Sequence, residues 1–310
     1  MRARERLARA AGEVRAAIEE SGLPPAYAEL ISIGLAHEGK LLSPDPASRW
    51  PLLTLAACET ASGGPCERAI PAAAAMEVFI AALDLLDDLQ DGDPNPVVSR
   101  CGPAQAMNVS TGLLMLAQRL LLRLLDWDVG AETVVAVSGE LASAAMTVGG
   151  GQHLDLLYES RPAVSEDEAL DVISRKSATL ISCACRIGAR LGTEDQAVID
   201  LLGRFGWHAG MAAQLLNDLR DVAPGHASKS DVRRRKKTLP LVAATAYGVS
   251  LEVAPTSDGD AALREALAGS GALHYTWVVA DMHRQEAARL LARLGPEHPT
   301  EALLALVKPA

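Results

Sequence analysis

Apolar residues recur every three or four positions along almost the whole of this 310-residue chain. Near its start, for example, Leu7, Val14 and Ile18 lie on one face of a helix. Short segments rich in glycine and proline separate such stretches, and nothing in the sequence is typical of a sheet. The pattern therefore predicts an all-α fold. The predicted helices cover residues 2–20, 26–38, 51–60, 67–89, 103–126, 131–148, 166–191, 194–220, 238–248, 259–268 and 272–293.

Composition supports helices and excludes several other classes of protein. Ala and Leu make up roughly a third of the chain, which favours helix. Two Phe, four Tyr and four Trp are too few for a β-sandwich or for a protein that stacks single-stranded nucleic acid. A net charge of −10 also disfavours nucleic acid as a partner. Because no linker divides the sequence, we expect a single domain over residues 1–310.

The cysteines and the apolar segments bear on the location of the protein. Its five cysteines are odd in number and form no CxxC pair, which favours a reduced chain whose cysteines are mostly small core residues. The first residues lack the uninterrupted apolar stretch of a signal peptide. The apolar segment 113–127 is interrupted by charges and too short to cross a bilayer. We therefore expect a cytoplasmic protein without an integral membrane segment.

Three aspartates close the hydrophobic stretch that ends at residue 91. Asp87 and Asp91 are four residues apart, so their carboxylates lie on one helix face, whereas Asp88 is rotated by about 100°. Like charges at this spacing repel, and the negative end of the helix dipole disfavours them further. The cluster is therefore either a frayed, solvated helix end or a site for a cation.

A second cluster repeats this arrangement about 130 residues later in the chain. Asn217, Asp218 and Asp221 again close an apolar helix, and Gln214 precedes them by one turn. If the two helix ends face each other across the mouth of a bundle, their oxygens are hard ligands suited to Mg²⁺. The basic run that follows, residues 229–237, would then neutralise an anion beside the metal.

Five short motifs follow one another between residues 76 and 245. They are Asp87-Asp88-Leu-Gln-Asp91, Gly151-Gln152-His-Leu-Asp155-Leu, Arg175-Lys176-Ser177-Ala178, Gln214 with Asn217-Asp218-Leu-Arg-Asp221, and Asp231-Val-Arg-Arg-Arg-Lys236-Lys-Thr238-Leu-Pro240. In this order they resemble the motifs of the polyprenyl synthetase family, the trans-isoprenyl diphosphate synthases among class I prenyltransferases. The resemblance implies one large helical bundle of the isoprenoid synthase type with a central cavity, usually found as a homodimer.

The resemblance also implies a site for three Mg²⁺ ions and for an allylic prenyl diphosphate. In the family the first motif binds two ions and the second motif holds the third. The implied metal ligands are Asp87, Asp88, Asp91, Asn217, Asp218 and Asp221. Lys176, Lys236 and Gln214 match family residues that act on the allylic diphosphate. Gln152, Asp155 and Lys229 are implied to line the same site, although Lys229 is displaced by three positions from the usual lysine.

The segments implied to hold isopentenyl diphosphate, the extender substrate, depart from the family pattern. The usual GKxxRP is represented by Gly39-Lys40, and its arginine returns as Arg49 only after an insertion. Arg100 is the one arginine kept of the usual pair beyond the first motif. Lys40, Arg49 and Arg100 could still form a three-cation site.

Product length in the family is usually set by the helix that carries the first motif. Leu83 and Ala82 lie four and five residues before Asp87, and neither is aromatic, whereas Phe79 lies two turns before it. We therefore expect a deep pocket for the alkyl tail, with Phe79 as its floor. Phe79 and Leu83 are equally consistent with plain core residues.

These inferences predict a Mg²⁺-dependent transferase that condenses an allylic prenyl diphosphate with isopentenyl diphosphate to a longer trans-polyprenyl diphosphate. A class I terpene cyclase is an alternative because it needs no extender, but the scarcity of aromatic residues disfavours it. A non-catalytic subunit is disfavoured because dense carboxylates are costly without their ions. The Asn217 motif also resembles the ComQ-type branch, which prenylates a bacterial signalling peptide.

Overall fold

The structure, a computed structural model, describes residues 3–45, 47–222, 236–250 and 257–307. Within these ranges every regular element is helical, so the predicted all-α fold is confirmed. The α-helices are α1 (Ala3–Glu19), α2 (Pro25–Ala36), α3 (Arg49–Ser62), α4 (Ile70–Asp91), α5 (Pro96–Cys101), α6 (Pro103–Leu122), α7 (Ala131–Glu159), α8 (Glu166–Ile173), α9 (Thr179–Gly192), α10 (Gln196–Val222), α11 (Leu239–Ala246), α12 (Ser257–Ser270), α13 (Ala272–Leu291) and α14 (Glu301–Leu304). Two 3₁₀ helices (Glu67–Ala69 and Arg123–Trp127) and one π-helical segment (Ser174–Ala178) complete the described elements.

Three stretches differ from the helices predicted by periodicity. α7 continues through the three glycines at 149–151 and ends eleven residues beyond the predicted boundary, at Glu159. The helix predicted over 166–191 is interrupted by the π-helical segment. α5 was not predicted at all, yet Asn95 caps it by accepting a hydrogen bond from Val97 N at 2.8 Å, and Pro96 occupies its first turn.

The chain divides into two compact units. Unit 1 comprises Met1–Ala142, Ala184–Leu202 and Leu294–Leu303, and unit 2 comprises Ser143–Cys183, Gly203–Arg293 and Leu304–Ala310. The single domain expected over residues 1–310 stays a prediction.

α4 is the central helix of unit 1. Its residues 70–82 are all buried, and it packs against α1, α2, α3 and α6. Pro71 lies in its first turn, and Gly92, at φ 67°, takes the left-handed conformation that ends it. The carboxylates of the first acidic cluster therefore lie at the end of a helix that is rigidly held by the core.

Two apolar clusters form the described core of unit 2. One joins Val222, at the end of α10, to residues of α11, α12 and α13. The other joins Ile173 and Ala178, on either side of the π-helical segment, to Met211 and Leu215 of α10. These clusters fix the end of α10 and the π-helical segment, the two places where sequence motifs predict a site.

A disulfide joins Cys58 of α3 to Cys66, so the expectation of a fully reduced chain is wrong for this pair. The segment between the two cysteines reverses direction at Gly63, where φ is 77°, and brings their Cα atoms within 6.0 Å of each other. Cys183 and Cys185 are buried, as expected for small core residues.

Two helical segments, Glu67–Asp91 and Ala131–Glu159, are long and apolar enough to cross a membrane by length and composition. In the first, 83% of the apolar stretch is buried inside the protein, whereas in the second 33% is buried. A buried core helix passes the same test of length and composition, so the first segment is accounted for by packing. The expected lack of a membrane segment stays a prediction.

Candidate functional site

The first predicted metal cluster lies at the carboxyl end of α4. Asp87, Asp88 and Asp91 are all half-buried. Asn95 Nδ2 donates a hydrogen bond to Asp88 Oδ2 at 2.7 Å, while its Oδ1 caps α5. One amide therefore fixes both the Asp88 carboxylate and the start of the helix that carries Arg100.

Negative charge is concentrated at this end of α4. Partial burial raises the pKa of Asp88, the Asn95 hydrogen bond lowers it, and the carboxylates of Asp84, Asp87 and Asp93 raise it further. Within the described ranges, no group of three or more His, Cys, Asp and Glu side chains is arranged to hold a metal ion. The cluster nevertheless fits Mg²⁺, because that ion binds through one or two carboxylates and takes its other ligands from water and phosphate.

In unit 2 a line of polar side chains, which we call the polar chain, connects three of the sequence motifs. Lys176 Nζ donates to Asp155 Oδ2 at 3.1 Å. The next residue, Ser177, donates from Oγ to Gln214 Oε1 at 2.9 Å. Gln214 Nε2 in turn donates to Asp218 Oδ1 at 2.8 Å, and Asp218 is only 3% exposed. The structure thus brings α7, the π-helical segment and α10 together at the predicted residues.

Lys236 approaches the same carboxylate as Lys176. Its Nζ lies 3.9 Å from Asp155 Oδ2, and the lysine is buried. Gln152, half-buried, lies one turn before Asp155 on α7. Because two ammonium groups share one carboxylate, the group has a net positive charge in a poorly solvated place, which favours binding of an anion.

The π-helical segment sets the position of Lys176. Thr179 N donates to Ser174 O, five residues earlier, and so widens one turn. Trp207 Nε1 donates to Ser174 Oγ at 3.0 Å and ties this turn to α10. A wide turn at a predicted substrate lysine is consistent with the frequent occurrence of π-bulges at functional sites.

Two glycines allow the helices to approach this segment closely. A Cβ at Gly151 of α7 would lie 2.8 Å from Lys176 N, and a Cβ at Gly210 of α10 would lie 2.6 Å from Ala178 Cα. Both distances are too short for real contacts with backbone atoms. Gly151, the first residue of its motif, is therefore required by packing.

The remaining residues of the second acidic motif lie outside the polar chain. Asn217 is exposed, and its Oδ1 accepts a hydrogen bond from Arg220 at 2.5 Å. Asp221 is half-buried, and its backbone carbonyl accepts from Arg264 Nη1 at 2.6 Å. Lys229 lies outside the described residues.

Glu77 of α4 closes the insertion that separates Lys40 from Arg49. Its side chain is fully buried and accepts hydrogen bonds from Leu41 N at 3.1 Å and from the Ser48 hydroxyl. Burial raises the pKa of Glu77, whereas these hydrogen bonds lower it. The residues next to Lys40 and Arg49 in sequence therefore meet at one carboxylate, and both ends of the insertion are anchored on α4.

Two of the three predicted extender cations form ion pairs. Lys40 Nζ lies 2.5 Å from Asp84 Oδ2, and Arg100 Nη2 lies 3.3 Å from Glu29 Oε1. Arg49 is exposed at the first position of α3. The insertion thus leaves the predicted cations on well-placed elements, but carboxylates accompany two of them.

The residues expected to line the tail pocket lie on the buried part of α4. Phe79 is 1% exposed and Ala82 is fully buried, whereas Leu83 is half-buried. Ser110 Oγ of α6 donates to the Ala82 carbonyl at 2.9 Å, so α6 closes over this turn of α4. The role of Phe79 as the pocket floor stays a prediction.

Comparison with known proteins agrees with these motifs. The sequence profile of the polyprenyl synthetase family matches residues 41–252, more than half of the chain. This chain belongs to the polyprenyl synthetase family. The predicted transferase class of enzyme is thereby confirmed.

Relatives of this polyprenyl synthetase include enzymes named for different products. The chain is 30% identical over 277 residues to a (2E,6E)-farnesyl diphosphate synthase of Mycobacterium tuberculosis, covering 82% of this chain and 76% of the relative. It is 28% identical over 262 residues to a geranylfarnesyl diphosphate synthase of Aeropyrum pernix, covering 79% and 82%. The crystal structure of a polyprenyl synthetase from Streptomyces coelicolor has a TM-score of 0.82 at 28% identity and covers 98% and 96% of the two chains.

Three carboxylate or amide side chains of this polyprenyl synthetase were missed by motif reasoning. Asn95 holds Asp88, Glu77 anchors the insertion, and Asp84 pairs with Lys40. Asn95 followed by proline is a helix-start signal that the sequence does contain. Glu77, a single acidic residue within an alanine-rich apolar stretch, also signals a buried hydrogen-bonded group.

Proposed function

We propose that this protein ionises an allylic prenyl diphosphate and condenses it with isopentenyl diphosphate, giving a longer trans-prenyl diphosphate. The observation that carries the proposal is the polar chain, which unites residues of three family motifs through hydrogen bonds. The names of the relatives, which are prenyl diphosphate synthases of several product lengths, support the same reaction.

Mg²⁺ is part of this proposal. We expect Asp87, Asp88, Asp91 and Asp218 to hold three ions, and the exposed Asn217 and the half-buried Asp221 to contribute from the edge. Bound Mg²⁺ supplies positive charge that stabilises the leaving diphosphate. Asn95 and Gln214 keep Asp88 and Asp218 oriented by hydrogen bonds.

The lysines of unit 2 bind the diphosphate of the allylic substrate. Lys176 and Lys236 share Asp155 in the structure, and a diphosphate that enters their site gains two ammonium contacts while the Asp155 pairings lengthen. Gln152 and Lys229 are assigned to the same site from their motifs. The C–O bond of the substrate breaks as these groups stabilise the departing anion.

Lys40, Arg49 and Arg100 bind the diphosphate of isopentenyl diphosphate in this proposal. The double bond of that molecule supplies the electron pair that forms the new bond to C1 of the allylic cation. A proton is then lost to the departing diphosphate, which restores a double bond and completes the balance. The apolar side chains around the tail exclude water, which would otherwise trap the cation.

The decisive experiment is an assay with Mg²⁺ and allylic diphosphates of increasing length, each with and without labelled isopentenyl diphosphate. Incorporation of label into a longer diphosphate supports the proposal. A chain that incorporates no label from any allylic substrate contradicts it. Product analysis by mass then gives the length that the relatives' names leave open.

Phe79 is proposed as the floor of the tail pocket because it is fully buried two turns before Asp87. Phe79→Ala removes the ring and deepens the pocket, so we expect products longer by at least one isoprene unit. Leu83→Ala, on a half-buried position of the same helix, is the matched comparison. An unchanged product length in Phe79→Ala would contradict the assignment.

A terpene cyclase, or transfer to a non-isoprenoid acceptor such as a peptide, is a second candidate. The observation that favours it is the pairing of two extender cations with carboxylates. In the same assay, a hydrocarbon or alcohol formed without extender indicates a cyclase. Transfer seen only when a peptide is added indicates the other acceptor.

We also propose that two copies associate through α6. Met107, Met115 and Leu122 lie along one side of this helix with 54%, 60% and 56% of their surface exposed, an arrangement typical of a protein–protein contact. Light scattering should give twice the chain mass of 32.5 kDa, and a value equal to one chain would contradict the dimer. The cytoplasmic location stays a prediction.

A further inference from the structure

Asp84 lies on α4 one turn before the first acidic motif and binds a residue far from it in sequence. Its Oδ2 lies 2.5 Å from Nζ of Lys40. The Lys40 side chain is only 14% exposed, whereas 52% of the Asp84 side chain is exposed. The ion pair is therefore half sheltered, and it binds more strongly than a pair in full contact with solvent.

The backbone beside Lys40 is fixed. Leu41 is buried, and its N–H donates to the buried Glu77 at 3.1 Å. On the other side, Gly39 takes a φ of 81°, so the chain turns sharply into the lysine. Since the backbone cannot move freely, the ammonium group remains within reach of Asp84 unless another anion replaces that carboxylate.

The charges of the proposed extender site therefore partly cancel. Lys40 is paired with Asp84, and Arg100 is paired with Glu29, so two of the three cations are accompanied by carboxylates. The Arg100 pair is exposed on both sides, with 62% and 57% of the side chains accessible, and solvent screens it strongly. The Lys40 pair is thus the one that an incoming diphosphate has to displace at a cost.

We propose that Asp84 determines specificity by competing with the diphosphate of the extender substrate for Lys40. Asp84 thereby weakens binding of isopentenyl diphosphate without touching the allylic substrate. The identity of the extender rests on the proposed function, whereas the competition between two anions for one ammonium group rests on the geometry of α4 and the Lys40 turn.

The test measures binding of isopentenyl diphosphate alone by calorimetry, since this molecule has no allylic cation to attack and does not react. Asp84→Asn removes the charge and keeps the shape, so we expect the Kd to fall about three- to tenfold. Asp126→Asn, which removes an exposed carboxylate of the same unit, is the matched control and should leave the Kd unchanged. In a Lys40→Ala background, Asp84→Asn should give no gain.

Steady-state kinetics separate this role from a structural or metal-binding one. In Asp84→Asn the KM for isopentenyl diphosphate should fall, while the KM for the allylic diphosphate and the Mg²⁺ concentration for half activation stay the same. A Kd that is unchanged or higher overturns the inference, and so does a higher Mg²⁺ requirement, which would place Asp84 in the metal cluster. Asp84→Ser removes the same charge with a smaller side chain and should reproduce the fall in Kd.

Failure of this inference differs from failure of the proposed function. If the wild type incorporates labelled extender but Asp84→Asn leaves the Kd unchanged, only the inference fails. If the wild type incorporates no label, the proposed function fails, and a lower Kd in Asp84→Asn still supports competition for a diphosphate at Lys40.

Discussion

The acidic end of α4 and the polar chain of unit 2 both contain aspartates of the predicted metal site, but they are built differently. At the end of α4 the three motif aspartates are half-buried, and further carboxylates at Asp84 and Asp93 surround them. In the polar chain Asp218 is almost fully buried and is bonded to Gln214, which Ser177 holds in turn.

This difference separates folding from chemistry in one region and joins them in the other. The end of α4 gains little stability from its carboxylates, because their mutual repulsion is relieved only when a cation is present. In unit 2 the same side chains that are predicted to act on substrate also satisfy buried hydrogen-bonding groups. We therefore expect substitutions to affect activity alone in the first region and both activity and stability in the second.

The largest expected effect comes from truncating one aspartate in each region. Asp87→Ala should lower kcat/KM by about a thousandfold or more, because a charged ligand of the reaction is lost. Its free energy of unfolding should stay the same or rise slightly, since one of several like charges is removed. Steady-state kinetics and urea unfolding measure the two effects.

Asp218→Ala is the counterpart in unit 2. It should lose activity to a similar extent, but its free energy of unfolding should also fall by about 1–3 kcal/mol, because Gln214 Nε2 loses its acceptor at a buried position. Equal stability losses in Asp87→Ala and Asp218→Ala would contradict the distinction between the two regions.

The close approach of α7 to the π-helical segment gives the next largest effect. Gly151→Ala places a Cβ 2.8 Å from Lys176 N, so the helix or the segment has to move, and we expect a loss of about 1–3 kcal/mol in unfolding free energy. Gly150→Ala is the matched control, because no atom lies within 4 Å of its Cβ, and it should stabilise α7 by about 0.5–1 kcal/mol. The same sign in both variants would contradict the close contact.

Much of this architecture could be predicted because each helix buries one face, which leaves a period in the sequence. The prediction failed where contacts distant in sequence decide the structure. Three glycines suggested a break in α7, but Gly151 is there to admit the π-helical segment. The cysteine pattern favoured a reduced chain, yet the turn at Gly63 brings Cys58 to Cys66.

The site shows the same limit. Motif spacing placed Asp155, Lys176, Gln214 and Asp218 correctly in one connected group, because each motif keeps its own residues on one helix face. It could not show that Lys40 is paired with Asp84, since the two residues are 44 positions apart and only the folded chain brings them together. Which charges cancel is a property of tertiary structure.

Glu77 offers a smaller test, because it lies on the same helix as the acidic end but is buried like Asp218. Burial raises the pKa of Glu77 above the ordinary 4.5, so the folded state holds its proton more tightly than the unfolded state. The stability that this proton confers is present below pH 4.5 and is lost as the pH rises through the raised pKa.

Glu77→Gln keeps an acceptor for Leu41 N and a partner for the Ser48 hydroxyl but cannot ionise. We expect its free energy of unfolding, relative to that of the wild type, to rise by roughly 1 kcal/mol between about pH 4 and pH 8. Urea unfolding at a series of pH values measures this difference. Parallel pH profiles for the two proteins would show that Glu77 does not titrate in this range.

The smallest expected effect is at Asn217, where the family usually has an aspartate. Asn217 belongs to the second acidic motif by sequence but is exposed and lies outside the polar chain, where Arg220 of the same helix holds it. If the buried pair of Gln214 and Asp218 carries the function of this motif, Asn217→Asp should change kcat/KM less than about threefold and stability by less than about 0.5 kcal/mol. Asp218→Asn, the same exchange in reverse at the buried position, should lower kcat/KM by about a hundredfold or more. A tenfold gain in Asn217→Asp would instead place position 217 among the metal ligands, and the polar chain would then be only part of the second acidic site.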